Sequence, residues 1–138
     1  MPATFAQCRT ALANTLTHVT NLRASAIYTS VVNPPMAIVL PSTGGMIQWV
    51  AMGNVVNYMF RVPLLVTYAE DSSSQAQMDA YLNAAGAVGD SALEAIHQDP
   101  SLGGTVAMAI PTSVSSYGLI EWAGVQYFGT NILVTVMV

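Results

Sequence analysis

The sequence predicts an α+β fold, with a mixed, mainly antiparallel sheet flanked by an N-terminal helix and a central helix pair. Three observations carry this. Apolar residues recur at steps of three and four from Phe5 to Val19, the spacing of one helical face. They recur at every second position from Val56 to Tyr68, the spacing of one face of a strand. The segments run in the order helix, strands, two helices, strands, and not in the alternation of a parallel α/β sheet. With 138 residues, the span 1–138 is expected to form a single domain. A core of that size buries about two-thirds of the surface that the unfolded chain exposes.

In the first helix Phe5, Cys8, Leu12, Leu16 and Val19 form the apolar stripe, with Thr4 as N-cap and Asn21 as the stop. Residues 24–32 are rich in β-branched and aromatic side chains and read as a strand ended by Asn33, Pro34 and Pro35. Met36 to Leu40 is a short, wholly apolar run between prolines, suited to a strand buried on both faces. From Pro41 to Asn54 two glycines and a short apolar run describe a hairpin arm or a long loop.

The long strand that follows carries Val56, Tyr58, Phe60, Val62, Leu64, Val66 and Tyr68 on one face and Asn57, Arg61, Pro63 and Thr67 on the other. Proline cannot donate to a ladder, so a bulge or an edge position is expected at Pro63. Ser72 to Gln75 has capping-box spacing and opens a helix to about Ala85 that buries Met78, Tyr81 and Leu82. Gly86 and Gly89 break it. Ser91 and Glu94 repeat the box before a shorter helix through Leu93 and Ile96 that stops at Asp99 and Pro100. Strands are expected at 105–110, at 116–122 and, after a turn at Ala123 and Gly124, at 125–138.

The charge content is low. Three arginines, no lysine and seven acids give ten charged side chains and a net charge of −4. A soluble domain of this length would carry about 34. On a folded monomer of roughly 6,900 Å² that leaves about one charge per 700 Å², a surface that other subunits are expected to cover. A membrane span is excluded, because Pro34, Pro35, Pro41, Gly44, Gly45 and Gly53 interrupt the uncharged run from Ala24 to Phe60, and a spanning helix needs about 20 apolar residues. The N-terminal segment lacks the basic start and continuous apolar stretch of a secretory signal. Direct nucleic-acid binding needs a basic stripe, and three scattered arginines do not make one.

Chemistry-bearing constellations are absent from the sequence. His18 and His97 stand near helix C-termini, where a positive side chain complements the dipole, and neither has a second ligand at metal spacing. Cys8 lies on an apolar stripe and is expected to be buried and inert. Asp71, Asp90 and Glu94 sit in first helical turns, as caps do. The paired glycines at 44–45 and 103–104 match neither phosphate-binding spacing, so no cofactor is expected. Met46, Trp49, Met52 and Trp122, in or beside turn regions, are the candidates for contact with another subunit or partner. A small-molecule-binding domain or enzyme is the competing class. It would require a pocket of converging polar groups and dependence on His97 or Asp99.

The second half carries a more specific pattern. Gln75, Asp79-Ala80-Tyr81-Leu82, Ser91, Leu93-Glu94-Ala95-Ile96, Asp99-Pro100-Ser101-Leu102-Gly103-Gly104, Tyr117-Gly118 and Gly124-Val125-Gln126-Tyr127-Phe128-Gly129 follow in order, with Asn33-Pro34-Pro35 upstream. Over residues 33–138 this resembles the tail terminator proteins of long-tailed, non-contractile phages. The resemblance implies a virion structural protein that caps the tail tube at its head-proximal end as a hexameric ring. It stops tube polymerisation, offers the surface for the head connector and has no catalytic role. Implied partners are further copies of the chain, the tail tube protein and the connector or neck protein, with DNA passing through the lumen without specific binding. The implied location is the virion tail, after assembly in the host cytoplasm. A head-to-tail joining or tail-completion protein is the alternative within this class. The chain is poorer in charge than such proteins, with Gln126, Asn131 and Thr135 where acids often stand, so its subunit contacts are expected to be apolar and hydrogen-bonded.

Overall fold

A computed structural model describes residues 4–19, 22–27, 29, 32, 35–42, 47–49, 56–68, 72–83 and 91–137. Its elements are α1 (Phe5–Leu16), β1 (Arg23–Ser25), β2 (Met36–Ile38), β3 (Leu40–Pro41), β4 (Ile47–Trp49), β5 (Val56–Thr67), α2 (Ser72–Tyr81), α3 (Ala92–His97), β6 (Met108–Trp122) and β7 (Val125–Met137). The class is α+β, as the sequence predicts. One seven-stranded sheet has the order β1-β2-β5-β7-β6, with β3 and β4 also paired to β5. Among the described residues β1 and β2 run parallel and the other strand pairs are antiparallel.

The helix α1 starts where Thr4 closes a full capping box. Its hydroxyl accepts from the Gln7 N–H, and the Gln7 side chain accepts from the Thr4 N–H at 2.8 Å. The expected stripe is buried, with Cys8, Leu12 and Leu16 fully enclosed and Val19 beyond the helix end. Phe5 stacks on Phe60 at 4.8 Å and meets Tyr58 edge-on at 5.1 Å, which fixes the helix start against β5. The proposed stop at Asn21 lies outside the described residues.

The strand expected at 24–32 is shorter than its composition indicates. It ends at Ser25, whose hydroxyl donates to the Ile27 carbonyl at 2.8 Å and turns the chain out of the ladder, leaving Ile27 exposed. Met36–Pro41 lies antiparallel to β5 in one register, interrupted opposite Val62 and Pro63. This corrects the edge or bulge expected at Pro63. The strand β5 is central, and the ladder lapses where proline has no N–H, while Val39 N–H bonds the Ser25 carbonyl at 2.9 Å instead. Within the expected arm or loop at 41–54, the described residues Ile47, Gln48 and Trp49 pair antiparallel with Tyr58, Asn57 and Val56.

The helix α2 buries Met78 and Tyr81 as expected. Ser72 is its first residue and not the cap before it, and the helix ends at Tyr81, short of the expected Ala85, with Leu82 half-buried in the turn that follows; the expected glycine breaks at 86 and 89 fall outside the described residues. At α3 half of the expected box forms. Ser91 caps Glu94 N–H, but the Glu94 carboxylate turns forward to accept from Gln98 Nε2 at 2.9 Å. Residues 108–122 form one long strand where two were expected, because the irregularities at Pro111/Ser113 and Ser115/Gly118 are bulges within it. A threonine serves each one. Thr112 Oγ1 donates to the Leu133 carbonyl, and buried Thr130 Oγ1 donates to the Ser115 carbonyl at 2.8 Å.

The three described helices lie on one face of the sheet, over a core that includes Leu12, Leu16, Phe60, Leu64, Met78, Ile96, Phe128 and Ile132. The opposite face holds a smaller cluster of Val32, Ile38, Leu65, Trp122 and Tyr127 at one end. No helix among the described residues is long and apolar enough to cross a membrane.

Candidate interaction surface

The helix-free face extends beyond that small cluster into an open region. Alternation along β5 and β7 sends Phe60, Val62, Ile132, Val134 and Val136 into the main core. It therefore sends Asn57, Met59 and Arg61 of β5, and Asn131, Leu133, Thr135 and Met137 of β7, to the other face, where all seven are half-buried. The strand β6 continues this surface with Met108 opposite Met137 and Ile110 opposite Thr135, each apolar side chain 41% exposed. No described helix covers its β5 and β7 part, while α3 approaches the β6 edge at a cleft that Ile110 also lines.

The geometry at its centre is unusual for a solvated face. Arg61 stands between Leu40 and Leu133, and its Nε is shielded from solvent without an acceptor. The Oδ1 atoms of Asn57 and Asn131 are likewise shielded and without donors. Buried polar atoms without partners cost about 1–3 kcal/mol each, so this face is under-satisfied as a free surface.

The second exposed region is the free edge of β6 and the tip of its hairpin with β7. Val114, Tyr117, Leu119 and Val125 are exposed there. Tyr117 is partly engaged, since its hydroxyl donates to Asp79 Oδ1 at 3.0 Å and its ring meets Phe128 edge-on. The hairpin turns through Ala123 and Gly124, both at positive φ, the backbone of a two-residue primed turn.

The expected contact residues are distributed as follows. Met46 and Met52 lie outside the described residues. Trp49 pairs with Val56 at the end of the β4–β5 hairpin. Trp122 is part of its own chain's small core: only 8% of it is exposed, and its indole N–H donates to the Thr29 carbonyl at 2.8 Å. Its turn-proximal position had marked it as a contact residue, but the turn folds its ring back over Leu65. The sequence placed Arg61 on the polar side of β5, and the period-two pattern was the signal available. That the helices would leave that side uncovered was not readable.

Two clefts among the described residues bear on a chemical role. One of about 730 Å³ runs between α1 and the loop 99–105, lined by Gln7, Thr10, Asn14, His18 and Asp99. The other, about 360 Å³, lies between α3 and β6 beside Glu94, His97 and Ile110. His97 Nδ1 stands 3.5 Å from the Glu94 carboxylate. Among the described residues no three His, Cys, Asp or Glu side chains gather as metal ligands would. Cys8 is fully buried and its thiol is pushed up to about 11 by that burial, which leaves it a poor nucleophile. No protein-family model and no curated protein matches the chain.

Proposed function

We propose that this chain is a ring-forming subunit of a phage virion that caps the tail tube at its head-proximal end, ends tube growth and receives the head connector. The observation that carries the reading is the pairing of composition with exposure. A chain with ten formal charges leaves one sheet face and a long strand edge lined by apolar side chains, among them Met108, Ile110, Val114, Leu119 and Val125. Exposed apolar surface on that scale marks contact with other proteins. The ordered motif resemblance from Asn33 to Gly129 names the assembly. A ring of like subunits closes through heterologous contacts, which use two different surfaces of each copy, and two are present here.

The chain's partners in this reading are its own copies, the tube protein and the connector. It has no catalytic step, and DNA passes through an acidic ring without being held. Deleting the gene in its phage is the direct test. Overlong tails support a terminator. Tails of normal length lying unattached to heads would reassign the protein to the neck, and a phage that assembles normally would overturn the virion role. Replacing His97 or Asp99 is expected to leave assembly intact, and assembly lost through either side chain would favour a chemical role for the clefts they line.

A further inference from the structure

The charged side chains of the described residues are engaged within the chain, with two exceptions. Arg9 lies over the Phe5 ring at 5.8 Å, and Arg23 has an interaction of its own. Asp79 accepts from Tyr117, Asp99 from the Gly103 N–H at 3.2 Å, and Glu94 from Gln98. Arg61 and Glu121 have no hydrogen bond or ion pair among the described residues. Among the described residues one unpaired cation and one unpaired acid remain.

Their positions keep them apart within a single copy. Arg61 is half-buried at the middle of the helix-free face, on the central strand. Ile120 and Trp122 belong to the cluster on that same face, so alternation along β6 sends Glu121, together with exposed Leu119, to the other face at the hairpin tip. The immediate neighbours match as well. Gln126 lies opposite Glu121 and is exposed, while Asn131 lies diagonally across the ladder from Arg61. One surface offers a guanidinium and an amide beside Leu133 and Met59, and the other offers a carboxylate and an amide beside Leu119.

We infer that the hairpin tip of one copy docks on the helix-free sheet face of the next, with Glu121 meeting Arg61 of that next copy. The Arg61 Nε is already withdrawn from water without an acceptor, so part of the desolvation cost is spent before contact, and a carboxylate there gains more than at an open surface. The two surfaces differ and lie on opposite sides of the sheet, so the contact is head-to-tail and propagates around a ring. Against a background of apolar and amide contacts from the described residues, this ion pair fixes which copy faces which. The inference deepens the ring reading above and rests on it.

Charge reversal tests it. Arg61→Glu and Glu121→Arg, each alone, are expected to weaken self-association of the purified protein about tenfold or more, measured by sedimentation over a concentration series. The double reversal is expected to restore it. Glu121 is exposed, so the Glu121→Arg protein remains informative if Arg61→Glu impairs folding, which thermal unfolding would reveal. An Arg61→Cys, Glu121→Cys double variant is expected to give a covalent ladder beyond dimers with a short bismaleimide, which spans the reach of the two lost side chains where a direct disulfide would not, since native Cys8 is buried. Assembly unaffected by Glu121→Arg, or no ladder from the double cysteine variant at concentrations where that variant itself assembles, overturns the contact and leaves the ring reading standing. Wild-type protein that stays monomeric at millimolar concentration and on tail tubes overturns both.

Discussion

At the residue scale, three positions show how local geometry limits substitution. Gly129 faces β5 so closely that a Cβ there would overlap the Leu64 carbonyl oxygen and lie 3.3 Å from the Leu65 Cα. Both obstacles are backbone and cannot rotate away. Gly129→Ala is therefore expected to lower stability by about 2 kcal/mol in denaturant titration. Ala123 holds φ at 52° in the turn before Gly124, a backbone that L-residues adopt at a cost. Ala123→Asn is expected to raise stability by about 1 kcal/mol, because asparagine accepts that conformation and suits the turn. Cys8 titrates from 9.0 when unfolded to about 11 when folded, so its thiol form is favoured by the native state. Its contribution is complete below pH 9 and is lost as the pH rises towards 11. Cys8→Ala removes that titration, so the stability difference between wild type and variant should shrink across this window.

At the element scale, the helices were legible and the strands were legible in kind but not in extent. Helix ends are set by neighbours three or four positions away, so Thr4 and Ser91 declared themselves as caps in the sequence. Strand ends are set by a partner elsewhere in the chain. The β-rich composition of residues 24–32 could not reveal that the Ser25 hydroxyl would divert the backbone, nor could Pro111 and Gly118 reveal that Thr112 and Thr130 would bridge bulges in one continuous strand. Ser91 ties two elements together. Its hydroxyl proton is shared between the carbonyls of Asn83 at 2.7 Å and Tyr81 at 3.1 Å, while its oxygen caps α3. Ser91→Ala should cost about 1–2 kcal/mol and speed hydrogen exchange at the end of α2 before the rest of the core.

At the scale of the whole molecule, the sheet is covered on one side and partly open on the other. The helices seal a large core, while on the far face the buried cluster among the described residues is the small one around Leu65 and Trp122. Placing a charge on the open edge should separate folding from assembly. Leu119, 52% exposed, makes Leu119→Lys a mild change in stability but a severe one for self-association, read by sedimentation beside thermal unfolding. A variant that loses stability and association together would locate Leu119 in the fold and not at a contact. The scarcity of charge, the α+β class and the element order were settled by composition and short-range periodicity, which depend on residues near one another in the chain. Only the tertiary structure decided that Pro63 lies in a central strand, that Trp122 turns inward and that Arg61 and Glu121 stand unpaired on opposite faces. Those outcomes depend on strand order and register, which arise from contacts between residues distant in sequence, and no local pattern encodes them.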